Sequence, residues 1–172
     1  VDSDGTHVND SNDILHYIDE RNGKKFPREG EDIEQDKWMK FSNDILGKSI
    51  VAVIYKNYRT SLHALDYVTK VDKFSLKDRI VSKWLGAIVM RMIGRSRAKM
   101  FEEPPRTNLQ TQLDSMSSGI EGEFFGGKGP NGADFANYGI LRSMQGLNGF
   151  DIVEKHSVIW PWYNRMQVLS NI

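Results

Sequence analysis

The ten residues Pro130-Asn131-Gly132-Ala133-Asp134-Phe135-Ala136-Asn137-Tyr138-Gly139 constrain this chain more than any other stretch. An Asn side-chain oxygen at 131 can accept the backbone N–H of Asp134, and the Asp134 carboxylate can reach back to the N–H of Asn131. The two together make a reciprocal capping box. Pro130 cannot extend a helix backwards, and Ala133, Phe135, Ala136 and Tyr138 begin an amphipathic face. A helix start defined this sharply can nucleate a domain built of helices.

The remaining pattern agrees. Apolar residues recur at spacings of three and four, and almost nothing alternates with period two, so the expected fold class is all-α with at most a short hairpin around Gly5. A first helix, capped by Asn9, Asp10 or Ser11, runs through Ile14, Leu15, Tyr17 and Ile18 to Asn22-Gly23. Residues 23–32 hold one Pro and two Gly among charges and read as a linker. A long helix follows from about Ile33, with Trp38, Phe41, Ile45, Ser49, Ala52 and Val53 facing a core. It weakens near Lys56-Asn57-Tyr58, and Thr60 or Ser61 starts another, to about Lys70. Ser75 caps a third long helix whose Ile80, Val81, Trp84, Leu85, Ile88, Val89, Met92 and Ile93 form a wide apolar face, wide enough to be core, opposite Lys83, Arg91 and Arg95. Pro104-Pro105 stops it, and Thr107 caps a helix carrying Leu109, Leu113, Met116 and Ile120. Residues 119–129, with five glycines, form the loop before Asn131. Two short helices, Asp151 to Lys155 and Pro161 to Leu169, close the chain.

Composition narrows the chemistry. The chain has 172 residues, enough for about one domain with a sizeable core. It has no cysteine, which excludes disulfides, thiolate metal sites and a Cys nucleophile. Lys and Arg number 23, as do Asp and Glu, so net charge steers the chain toward neither nucleic acid nor membrane. The most apolar run, Ile80 to Ile93, contains Lys83 and Arg91 and is too short to span a bilayer. The start without Met or a signal-like segment reads as a piece of a longer protein. His7, His16, His63 and His156 lack metal-ligand spacing, so no metal is expected.

Ala133 to Leu147 resembles the central helix of the membrane-associated prostaglandin E synthase type 2 family, whose C-terminal half is a glutathione-transferase-like helical domain. His156-Ser157-Val158-Ile159-Trp160-Pro161-Trp162-Tyr163-Asn164-Arg165-Met166 is similar to that family's tail. Tyr58-Arg59-Thr60 resembles its helix junction, and Val8-Asn9-Asp10-Ser11 the last piece of its thioredoxin-like domain. The resemblance implies a thioredoxin-like remnant over 1–22, the linker at 23–32, and a glutathione-transferase C-terminal-like helical domain over 33–172. It implies isomerisation of prostaglandin H2 to prostaglandin E2 with glutathione, and with haem as a second ligand. By the same resemblance Asp10 takes the amine of the γ-glutamyl end of glutathione, and Ser11 its carboxylate.

The family's Cys-x-x-Cys has no counterpart here. Because a thiol catalyst needs a thiolate, no catalytic residue is assigned to this chain, and small-molecule thiol chemistry would depend on the missing thioredoxin-like domain. The alternative is a non-catalytic accessory subunit or scaffold of a mitochondrial or membrane assembly, with protein partners or a homodimer. Arg91, Arg95 and Lys99 lie one turn apart, a face suited to a carboxylate or phosphate. By the resemblance they would clamp haem propionates, while on their own they read first as solvated cations that complement the helix C-terminus. A basic amphipathic helix on an anionic membrane surface or in a subunit interface is the weaker option, because the apolar face is wide enough to be core. Trp160, Trp162 and Tyr163 are expected to pack on the core rather than to hold a ligand. The compartment is left open between Golgi membrane, cytosol and mitochondrion.

Overall fold

Asp32 starts the described helices: its carboxylate accepts the N–H of Gln35 over 3.0 Å, capping α1 (Ile33–Phe41). The computed structural model describes residues 32–66 and 75–170, with the single positions 17, 21 and 23. The expected thioredoxin-like remnant and most of the linker therefore lie outside the described residues, as do positions 67–70 of the second expected helix.

After α1 the backbone stays helical through a π-helical turn (Ser42–Leu46) into α2 (Gly47–Ile54). The long helix expected from Ile33 is thus present, but the π turn inserts a residue into its period. Ile45, expected in the core, is 37% exposed, and Leu46 beside it is fully buried. Trp38, Ser49, Ala52 and Val53 face inward as their spacing predicts.

α3 (Tyr58–Ala64) is capped by Asn57, earlier than expected; Thr60 is the reciprocating member of that capping box. Ser75 caps α4 (Leu76–Ala98) as predicted. Pro105 does not stop that helix but occupies the first position of α5 (Pro105–Ser117), where its missing N–H costs nothing. Thr107 consequently lies inside α5 rather than at its cap. Leu109, Leu113 and Met116 are fully buried, and Ser49 Oγ donates to Asn108 Oδ1 at 2.7 Å in the interior between α2 and α5.

α6 (Gly132–Arg142), α7 (Phe150–Lys155) and α8 (Ile159–Ser170) complete the bundle. α2 packs on α3, α4 and α5; α6 packs on α1, the π turn and α8; α7 bridges α5 and α8. Among the described residues there is no strand, only an isolated bridge between Phe124 and Gly127 in the glycine-rich loop. The fold is all-α. His156 sets the entry to α8, its Nδ1 accepting the N–H groups of Val158 (3.3 Å) and Ile159 (3.2 Å), with Nε2 3.1 Å from Asp114 Oδ1.

The largest departure from expectation is α4. The eight large apolar residues expected to face the core, the pairs Ile80–Val81, Trp84–Leu85, Ile88–Val89 and Met92–Ile93, do not: each is 38–67% exposed. The helix instead turns its small residues inward. Ala87 is fully buried, Gly86 lies against Leu65, and a Cβ on Gly94 would sit 2.7 Å from both Cβ and O of Tyr55. Close approach of two helices at glycine selects which side faces in, overriding the apolar stripe. Lys83 pairs with Asp66 across the same seam.

Candidate functional site

Asn131 has extended backbone ahead of α6, which lets its side chain fold over the helix end. Its Oδ1 accepts the N–H of Ala133 at 3.0 Å and of Asp134 at 3.4 Å. Asp134 Oδ2 returns to the N–H of Asn131 at 2.9 Å, completing the predicted box. The other oxygen, Oδ1, accepts the Trp162 indole N–H at 2.7 Å and the backbone N–H of Phe125 at 3.1 Å. Asp134 and Trp162 are both fully buried. Burying a carboxylate is costly unless donors replace its water, and here three N–H groups do so.

The remaining first-turn amide, Gly132 N–H, donates to Gln35 Oε1 at 2.9 Å. A helix N-terminus ordinarily invites an anion; this one is filled by the protein's own carboxylate. The arrangement therefore clasps α1, the 119–129 loop, α6 and α8 together. Arg165 of α8 straps the loop from its other side, donating to Glu123 O at 2.7 and 3.1 Å.

Beside the clasp opens a cleft of about 370 Å³, walled by Trp38 and Phe125 and rimmed by Asp32, Glu34, Lys37 and Glu121. The two rings lie 5.3 Å apart. Gly119 is required against this wall, because a Cβ there would stand 2.2 Å from the Trp38 ring. A second, open depression runs along residues 145–151 and Glu154.

The aromatic tail packs inward as expected. Tyr163 is fully buried, stacks on Trp160 at 5.6 Å and leans on Tyr138 at 5.0 Å. Its burial pushes the phenol pKa above the usual 10.0, with Tyr138 adding to the shift and Arg142 opposing it. Between α5 and α7, Arg106 hydrogen-bonds Asp151 and holds that carboxyl below its ordinary value.

Of the residues singled out in the sequence, Asn131 and Asp134 are joined as predicted. Asp10 and Ser11 lie outside the described residues. Arg91, Arg95 and Lys99 stand in a row on the exposed side of α4 and line neither cleft. Gln35 and the Trp162–Asp134 bond were not foreseen, although a buried indole N–H must find an acceptor. Among the described residues no helix is long and apolar enough to cross a membrane.

No protein-family profile matches the chain. Individual relatives do. Prostaglandin E synthase 2 of Mus musculus is 33% identical over 139 residues, covering 78% of this chain, and that of Danio rerio is 32% identical over the same length and share. The chain is prostaglandin E synthase 2-like. It spans 36–37% of the length of these relatives. The prostaglandin E synthase 2-like helices are thus seen here as one clasped unit, and the activity in the relatives' name belongs to proteins more than twice as long.

Proposed function

We propose that this chain is the helical part of a glutathione-dependent isomerase that converts prostaglandin H2 to prostaglandin E2. The observation that carries the reading is the identity with prostaglandin E synthase 2 over 139 residues. Substrate and product are isomers, so the reaction needs no stoichiometric oxidant or reductant. It does need a thiol, and no cysteine stands among the 172 residues. The sulfur is therefore glutathione's or comes from residues outside this chain. Asp10 and Ser11 would hold the γ-glutamyl amine and carboxylate. The row of Arg91, Arg95 and Lys99 would pair with haem propionates, but all three are exposed and line neither of the two clefts, so no step is assigned to haem.

The cysteine-free composition favours a second reading, a glutathione-transferase-like accessory subunit with no catalysis of its own. Calorimetric titration of glutathione into the chain, repeated with Asp10→Ala, separates the two. The isomerase reading expects weak binding that the substitution abolishes, and prostaglandin E2 production above the uncatalysed rate when prostaglandin H2 and glutathione are supplied with a thiol-bearing upstream segment. Equal binding by the variant removes the Asp10 assignment, and absence of turnover in that longer form leaves the accessory role.

A further inference from the structure

We infer that α4 is an interfacial helix that seats this protein on an anionic lipid surface. Two independent features converge on it. The first is the exposed apolar stripe: four pairs of large apolar residues repeat every fourth position, so they form one continuous band over more than three turns. Patches of several hundred Å² are seldom left to water on soluble proteins.

The second is charge. Residues 77–99 carry seven of the chain's 23 basic residues and one of its 23 acids, a net charge of 7 − 1 = +6, so the rest of the neutral chain carries 16 − 22 = −6. Lys77, Arg91, Arg95 and Lys99 are exposed along the same side as the apolar band; Arg91 and Arg95, expected opposite it, share its side because the helix buries its small residues instead. Trp84 stands half-exposed among them, 5.8 Å from the Tyr58 ring. Apolar side chains with an indole beside cations are the elements by which a helix lies in the headgroup region of a bilayer. The separation of charge would also orient the molecule, with α4 toward the anionic surface and the acidic remainder away from it. A second copy fits less well, because pairing α4 with itself sets +6 against +6.

Sedimentation of the 172-residue chain with phosphatidylcholine vesicles, with and without phosphatidylserine, tests this. Binding is expected to the serine-containing vesicles alone, to be lost at high salt, and to blue-shift emission by a component that disappears in Trp84→Phe. Because each cation near such a surface contributes about a fivefold factor, Arg91→Gln with Arg95→Gln should lower partitioning roughly thirtyfold. Leu85→Ser with Val89→Ser should also abolish binding with an unchanged helical circular dichroism spectrum, since both side chains are already exposed. Equal binding to neutral and anionic vesicles, or none to either, overturns the inference. So does a stable dimer in sedimentation velocity that Leu85→Asp dissociates, which would assign the face to a second copy.

Discussion

The indole N–H of Trp162 donates to Oδ1 of Asp134 across 2.7 Å, joining the last helix to the first turn of α6 where neither side chain meets solvent. The same carboxylate holds Phe125 and Asn131 by their backbone N–H groups. Removing it strands three donors at once, and each buried unsatisfied donor costs about 1–3 kcal/mol. Asp134→Ala is therefore expected to destabilise the fold by about 3–5 kcal/mol in urea unfolding. Trp162→Phe removes one charge-assisted bond and part of a ring, for about 2–3 kcal/mol. The double variant should cost less than the sum, because the shared bond is lost only once. Additive losses would mean that the two residues act separately.

The π turn makes a sharper test of register. Leu46 is fully buried and its neighbour Ile45 is 37% exposed. Leu46→Ala should cost about 3 kcal/mol through lost transfer energy and the cavity left behind. Ile45→Ser should fall within about 0.5 kcal/mol of the parent. A regular α-helix through this segment would give the reverse ranking of urea midpoints.

These two sites mark what can be read from the sequence. The Asn131–Asp134 box is local, its two members three positions apart, so it was visible in full. The inward-facing positions of α5 follow one unbroken period and were visible as well. Leu46 was not, because a π turn shifts the period without announcing itself in residue type. α4 failed for a different reason. Hydropathy says which side of a helix is apolar, whereas Gly94 against Tyr55 and Gly86 against Leu65 decide which side can approach a neighbour. Those contacts join residues 39 and 21 positions apart. Gln35 and Trp162 reach the α6 cap from 97 and 28 positions away, and no spacing rule connects them.

The Arg106–Asp151 pair gives a pH signature of known sign. The hydrogen-bonded guanidinium holds the Asp151 carboxyl below its ordinary 3.8. A carboxyl depressed in the folded state stabilises the fold above its unfolded pKa, and that contribution is lost as pH falls through the folded value. Both side chains are more than a third exposed, so solvent screening limits the effect to below about 1 kcal/mol. Urea midpoints of the parent should exceed those of Asp151→Asn at neutral pH, and the difference should close under strongly acidic conditions. A difference that persists there would trace to packing rather than to the ion pair.

Two helical glycines should respond to alanine with opposite signs. Gly139, within α6, has open space where a Cβ would stand. Gly139→Ala should therefore stabilise the protein by about 0.5–1 kcal/mol, by removing backbone freedom from the unfolded chain. Gly94 has the same helical gain available, but its new methyl would meet Tyr55 at 2.7 Å, including the backbone oxygen. Tyr55 O cannot swing aside as a side-chain end could, so α4 must move off α2. The repulsion, about 1–3 kcal/mol, should exceed the helical gain and leave Gly94→Ala less stable than the parent. Thermal unfolding of both variants checks the pair: a stabilised Gly94→Ala would mean that α4 is seated more loosely than its glycines indicate, and that the apolar face it turns outward is not fixed by this seam.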